Sequence, residues 1–298
     1  MNNKIKNWIP IGISTLLTCF WAFWGIIENF HEGWYFPTLI ENIGLMIIQY
    51  LSPMLIFMTL TVIAIYYQKA GAVLHAVLAF FSIWFFRGGN PSTIILVASM
   101  FLATGILYWF SNFPHKRIAI RIVLGLPLMT LFIAGISPIV RVSQRIDDVN
   151  LQAHSVYGNN VMLTWAPIGP GWPREGDDWY ESKHACQYLC EDGSSLQISP
   201  QNIWRLPTVD EAVHSMMTHG NNSGGVWNSE EMKATYTTRP DKEAPLWNIH
   251  SPVIYWWTSS EIDEKNAWMI EYDGQVWSRE KTNSQTYLGF RCVRDINQ

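Results

Sequence analysis

The chain has 298 residues, a formal net charge of −4 and 49% hydrophobic residues, with no basic excess of the kind that marks a nucleic-acid-binding protein, so no nucleic-acid partner is expected. The averages conceal a division: residues 1–140 carry seven Lys/Arg against three Asp/Glu, whereas residues 141–298 carry thirteen against twenty-one, together with ten of the sixteen tryptophans. That contrast excludes a uniformly soluble protein and divides the chain into a membrane domain, residues 1–140, and a charged domain large enough to close its own core.

Crossing a bilayer takes roughly 20 apolar residues. Five runs approach that length, at about 8–29, 42–67, 71–86, 93–110 and 118–140, and the third is the shortest. A cleaved signal peptide fits the first run poorly, because no small-residue cleavage site follows it and further spans do. With five crossings, Lys4, Lys6, Lys69, Lys116, Arg117 and Arg121 fall on one side and Arg87, Arg141 and Arg145 on the other. The richer side is expected to be cytoplasmic, which makes this a multi-pass protein of the cytoplasmic (inner) membrane with its C-terminal domain extracytoplasmic.

Little inside the spans suggests chemistry. Glu28 lies among Trp21, Trp24, Trp34 and Tyr35, an interfacial setting. His75 and Gln49 are expected to make interhelical hydrogen bonds rather than line a polar pathway. Pro53, Pro127 and Pro138 suggest kinks or helix ends. The region reads as an anchor or an assembly surface, whose partners are the bilayer and an oligomer or membrane complex.

Residues 141–157 look like a polar juxtamembrane stalk, and NVMLTWAP alternates as an opening strand should. After the turn-rich GPGWPREGDD, the stretch DDWYESKHACQYLCEDG predicts an amphipathic helix, with Asp177 and Asp178 at its positive end and Gly193 after its last turn. Trp179, Ser182, Cys186 and Leu189 share one of its faces. In WRLPTVDEA, Thr208 and Glu211 have the spacing of a capping box, which predicts a second helix from Val209 to His219. Arg205 is expected to be a structural guanidinium paired to a carboxylate or to carbonyls.

A long loop follows GNNSGG to about residue 252. VIYWWTSSE, AWMIEYDG and QVWSREK then read as strands, with an Asp-Gly turn at 273–274 tying the last two into a hairpin, and YLGFRCVRD as a final strand. Residues 158–298 thus form an α+β domain with a small antiparallel sheet.

WRLPTVDEA, YWWTSSE, AWMIEYDGQV and GFRCVRD occur in the order seen in the bacterial Lcl C-terminal domain family, which this chain resembles over roughly residues 158–295. The resemblance implies a C-type-lectin-like fold related to the formylglycine-generating, sulfatase-modifying enzymes, and a module whose loops bind a glycan or protein in the cell envelope. The fold class expected for the whole chain is a multi-span α-helical membrane region followed by that α+β C-type-lectin-like domain.

The enzymatic branch is the alternative. Formylglycine-generating enzymes are similar at RLPT and GFR, but their oxidation chemistry needs a copper-binding cysteine pair in the C-terminal part, where this chain offers Cys292 alone. His184, His214, His219 and His250 lack the spacing of an iron site, and the Glu-Pro-Asn, Gln-Pro-Asp and Trp-Asn-Asp triplets of calcium-dependent lectins do not occur. No catalytic residue, metal or cofactor is therefore expected, and the chain is read as a non-catalytic binding protein. An oxidoreductase of the formylglycine-generating type, or an accessory subunit of a membrane complex, stands as the alternative.

The expected ligand-binding residues are Trp247, Tyr255, Trp256, Trp257 and Trp277, with Trp268 in the same aromatic set, because aromatic rings offer large contact areas to sugars and proteins. Trp256 and Trp257 should point to opposite sides of a strand, so that one is free on a one-sided sheet. With Cys19 in a span, the outer domain has three cysteines. The resemblance to C-type-lectin-like folds implies a disulfide from the first helix to the last strand, Cys186 to Cys292, leaving Cys190 free, or Cys190 to Cys292 if the helix is rotated.

Overall fold

A computed structural model describes residues 3–113, 115–148 and 151–296, and divides into two compact units, Met1–Trp34 with Thr38–Val140, and Tyr35–Pro37 with Arg141–Gln298. The side chains of Lys4 and Lys6, the stalk residues Val149 and Asn150, and Asn297 and Gln298 lie outside the described residues.

Unit 1 is helical: α1 (Asn3–His31), α2 (Leu39–Leu45), α3 (Ser52–Tyr66), α4 (Gln68–Phe85), α5 (Pro91–Trp109) and most of α6 (Lys116–Ser143). Among the described residues four helices are long and apolar enough to cross a membrane, or five spans if a bent pair counts as one. The bent pair replaces the continuous second run expected from the sequence. A π-helical turn at Met46–Tyr50 follows α2, and the chain then bends by 60° into α3. Pro53 sits in the first turn of α3, where its missing N–H costs nothing but its ring blocks extension backwards.

The exterior of unit 1 is apolar, with Leu16, Phe80, Ile95 and Phe132 facing outward, a surface compatible with lipid contact. Its interior holds a few satisfied polar groups: the Tyr108 hydroxyl of α5 donates to Ser14 Oγ of α1 at 2.9 Å. His75 is buried, but its Nδ1 donates to the Gly71 carbonyl of its own helix at 2.8 Å, and Gln49 is exposed, so neither makes the interhelical bond expected of it.

Unit 2 is strand-rich. The four-stranded sheet runs β10 (Leu288–Gly289), β7 (Tyr255–Glu261), β8 (Asn266–Glu271), β9 (Val276–Glu280), with β10 parallel to β7 and the other pairs antiparallel. A second sheet orders β1 (His154–Gly158), β2 (Val161–Trp165) and β11 (Val293–Asp295), all antiparallel. The expected final strand is therefore two short strands serving different sheets, and the expected single antiparallel sheet is several small ones, including the hairpin of β5 (Val226–Asn228) and β6 (Lys233–Thr235). β1 also falls inside the expected stalk. The stalk is not free polar chain at its start either, since Arg145 is paired with Asp241 at 2.9 Å.

α7 (Trp179–Tyr188) starts at Asp178, whose side chain accepts from the Glu181 amide, and buries Trp179, Ser182 and Cys186. It ends a turn earlier than expected: Leu189 is extended and bridges to Leu196, so Cys190 lies beyond the helix. α8 (Val209–Ser215) also stops short of His219. Met217–Thr218 (β3) and Asn221–Asn222 (β4) pair across His219 and Gly220, whose φ values of 50° and 73° make the two-residue hairpin turn that matches strand twist.

Two cores flank the four-stranded sheet. One gathers Val156, Leu163, Trp165, Val213, Trp247, Trp256, Ile270 and Tyr272, and the other Trp179, Leu189, Trp204, Trp257, Met269 and Phe290. In the second, Cys186 is disulfide-bonded to Cys292, joining α7 to the segment that enters β11, while Cys190 stays free.

Candidate functional site

The aromatic residues separate into core and surface. Trp256 and Trp257 are adjacent on β7 and do point to opposite faces, yet they are 1% and 0% exposed because the sheet is covered on both sides. Trp247, 2% exposed, stacks on Trp256 at 3.7 Å with the rings 7° apart, and Trp165 approaches Trp256 at 5.1 Å. The Trp247 and Trp257 indoles donate to the carbonyls of Val253 and Asp177 at 3.0 and 2.8 Å. These three tryptophans are core anchors with no surface to offer, which removes them from the expected ligand set.

Trp277 is different: it is 47% exposed. The register opposes it to Met269 and opposes Tyr255 to Glu271, so Trp277, Tyr255 and Glu271 share one face of the sheet. Glu271 is buried and accepts a hydrogen bond from the Trp277 indole at 2.9 Å, which fixes the exposed ring in one orientation. Half-buried Tyr255 packs edge-on against Tyr287 at 5.7 Å. Glu271 and Tyr287 were not legible as site residues; the only signal was a carboxylate inside the otherwise apolar AWMIEY. On the opposite face, Trp227 and Trp268 form a half-buried T-shaped pair at 5.6 Å.

WRLPTVDEA is an assembled structural motif. Thr208 Oγ1 accepts from the Glu211 amide at 3.2 Å, and Glu211 accepts from the Thr208 amide at 2.8 Å, completing the capping box. Arg205 makes two 2.7 Å hydrogen bonds to Glu211 and one of 3.0 Å to Asp295. Burial alone would raise the Glu211 carboxyl, but Arg205 and the Thr208 amide outweigh it and hold it below the usual carboxylate range. In GFRCVRD, the fully buried Arg291 donates to the carbonyls of Ala166, Pro245 and Leu246 and lies 4.0 Å over the Trp172 ring. Burial pushes this guanidinium down to about 9.

Two open depressions lie on α7 and on the loop that follows it. One, of about 560 Å³, is lined by Cys190, Asp192, Ser194, Ser195 and Arg294 among others. The Cys190 thiol donates to Asp192 at 2.8 Å and accepts from the Ser195 amide at 3.3 Å. Asp192 pushes this thiol up, but the hydrogen bonds of Ser195 and Ser194 outweigh it, and the thiol lies below its usual value. The other depression, about 470 Å³, is lined by Asp177, Tyr180, Glu181 and His184 among others. Burial, then the hydrogen bond and charge of Glu181, push the Asp177 carboxyl up to about 7, against a downward pull from the Asp178 amide.

Among the described residues no three His, Cys, Asp or Glu side chains converge as metal ligands. The histidines are scattered: His219 pairs with Glu243 at 3.1 Å, His250 with Asp147 at 3.2 Å, and His184 stacks on Tyr188 at 4.0 Å. Comparison with protein-family models, with curated proteins and with solved structures finds no match for this chain.

Proposed function

We propose that this chain is a multi-pass protein of the cytoplasmic membrane whose C-terminal unit is a C-type-lectin-like binding module of the Lcl C-terminal type, displayed outside the cytoplasm and engaging a glycan or protein. The observation that carries this reading is the half-exposed Trp277, pinned through its indole N–H by buried Glu271 beside the Tyr255–Tyr287 pair. A preoriented, half-exposed indole beside the Tyr255–Tyr287 pair suits a sugar ring, whose C–H groups stack on an aromatic face. The non-catalytic reading is supported by Cys292, which is taken up in the disulfide with Cys186 rather than left as a thiol. The extracytoplasmic placement rests on the loop charges, and a disulfide is favoured in such an oxidising compartment.

A glycan array probed with the full-length protein in detergent tests the proposal. Binding that Trp277→Ala removes, while the chain stays folded, supports it; binding untouched by that substitution overturns the site. A reporter fused after Gln298 and active only in the cytoplasm should be silent, and strong activity would overturn the orientation.

A further inference from the structure

We propose that unit 1 holds an anionic phospholipid, one acyl chain lying in the groove between α4 and α5 and the phosphate at Lys69; this rests on the reading that these helices span the membrane. The groove encloses about 340 Å³, and its walls, including Ala72, Val73, Ala76, Gly105, Ile106 and Trp109, are apolar. It exists because small residues line its floor. Gly105 lies so near the Ala72 carbonyl and His75 that a Cβ there would approach them to 3.0 and 3.1 Å.

What makes this a lipid site rather than a bare apolar cleft is the charge at its mouth. Lys69 precedes Val73 by four residues and Ala76 by seven, so it shares their helix face one turn nearer the helix start. α4 contributes its first turns to the groove and α5 its last, so the groove begins at the end of the pair where Lys69 stands and descends toward the bilayer centre. Lys69 is exposed, its ammonium 5.8 Å over the Trp109 ring, and no carboxylate among the described residues pairs with it. Lys116, 5.6 Å over the Tyr66 ring, and Arg117 add positive charge at the same end. The three acidic residues of this unit stand at the opposite end by the direction of the chain: Glu28 in the last turn of α1, Glu32 just after it and Glu41 in the first turn of α2. Basic side chains at an interfacial aromatic belt above an apolar slot complement a phosphate carried on acyl chains.

The test uses the full-length protein in nanodiscs of mixed phosphatidylglycerol and phosphatidylcholine, transferred to mild detergent, with retained lipid counted by native mass spectrometry. Phosphatidylglycerol should be retained over phosphatidylcholine. Lys69→Ala should weaken its retention about fivefold, the effect of one interfacial cation, and Lys69→Arg should restore it. Ala76→Leu, which fills the groove, should lower retention of both lipids. Equal retention of the two lipids, or retention indifferent to both Lys69→Ala and Ala76→Leu, would overturn the proposal, as would a stable dimer that covers the groove and carries no lipid. Alkaline carbonate extraction of membranes separates this from failure of the spanning reading: a chain released into solution refutes the spans, and one that stays in the pellet leaves the lipid result to stand alone.

Discussion

Arg205 and Glu211 lie face to face across the first turn of α8, joined by two hydrogen bonds of 2.7 Å each. Glu211 thus serves the helix cap and the guanidinium at once. Thr208→Ala should cost about 1 kcal/mol, the usual loss of an N-cap oxygen. Glu211→Ala should cost about 2 kcal/mol or more, because it also removes both 2.7 Å hydrogen bonds of Arg205, leaving it Asp295 as its carboxylate partner, and leaves the Thr208 amide without its acceptor. The carboxyl is held below its ordinary value of 4.5, so its contribution is complete above that pH and fades as pH falls through the lower folded-state value. Denaturant titrations of the detergent-solubilised chain should show this acid-side loss, and Glu211→Gln should flatten it.

Asp177 carries the opposite dependence. Its carboxyl rises from 3.8 to about 7 on folding, so between those values the folded chain binds more protons than the unfolded one, and stability falls as pH rises. Melting temperatures of the wild type and Asp177→Asn, compared from pH 4 to pH 8, should diverge, the variant gaining relative to the wild type toward pH 8. Parallel curves would show that folding does not raise the Asp177 carboxyl.

Reducing the Cys186–Cys292 bond, which closes a sequence separation of 106, should destabilise unit 2 by about 4 to 5 kcal/mol in the chain-entropy account. Non-reducing peptide mapping should recover the 186–292 crosslink and find Cys190 alkylated readily near neutral pH, since its thiol is exposed to solvent on one side and lowered by its hydroxyl neighbours. A Cys190–Cys292 crosslink would refute the pairing.

The tryptophans should separate in the same way by stability. Trp247→Ala removes a ring stacked on Trp256 and should cost about 3 to 5 kcal/mol. Trp277→Ala loses mainly its hydrogen bond to Glu271, about 1 kcal/mol. Similar losses for both would mean that Trp277 is a packing residue.

Local signals were legible wherever one stretch of chain decides the outcome. The Thr208–Glu211 box, the Asp178 cap and the Asp273–Gly274 turn depend on neighbours a few residues apart, and each appears where its spacing places it. Burial was not legible, because it depends on what covers a strand from elsewhere. Alternation places Trp256 and Trp257 on opposite faces, but nothing in YWWTSSE tells that α7 and the Trp204–Leu206 stretch cover one face while β2 and α8 cover the other. Buried charge was hidden for the same reason. Lys242, between Asp241 and Glu243, reads as a solvated loop charge, yet all three are buried and Lys242 donates to the Ser251 carbonyl. Of the tryptophans expected to bind ligand, Trp277 differs from Trp247, Trp256 and Trp257 by its exposure, which no count of aromatic residues could tell.

Residues 288–295 supply β10, the buried Arg291, Cys292 of the disulfide, β11 and the Asp295 that completes the Arg205 pair. Every one of these contacts reaches back to chain made much earlier, as far as β2. Unit 2 therefore cannot be completed while it is being synthesised: until Asp295 has emerged, β2 is an unprotected edge and the core around the disulfide lacks Leu288, Phe290 and Cys292. A nascent chain that has passed its spans would hold some 150 residues in an unfinished state, at the mercy of holdases and proteases, and the arrival of the final few would close the whole unit at once.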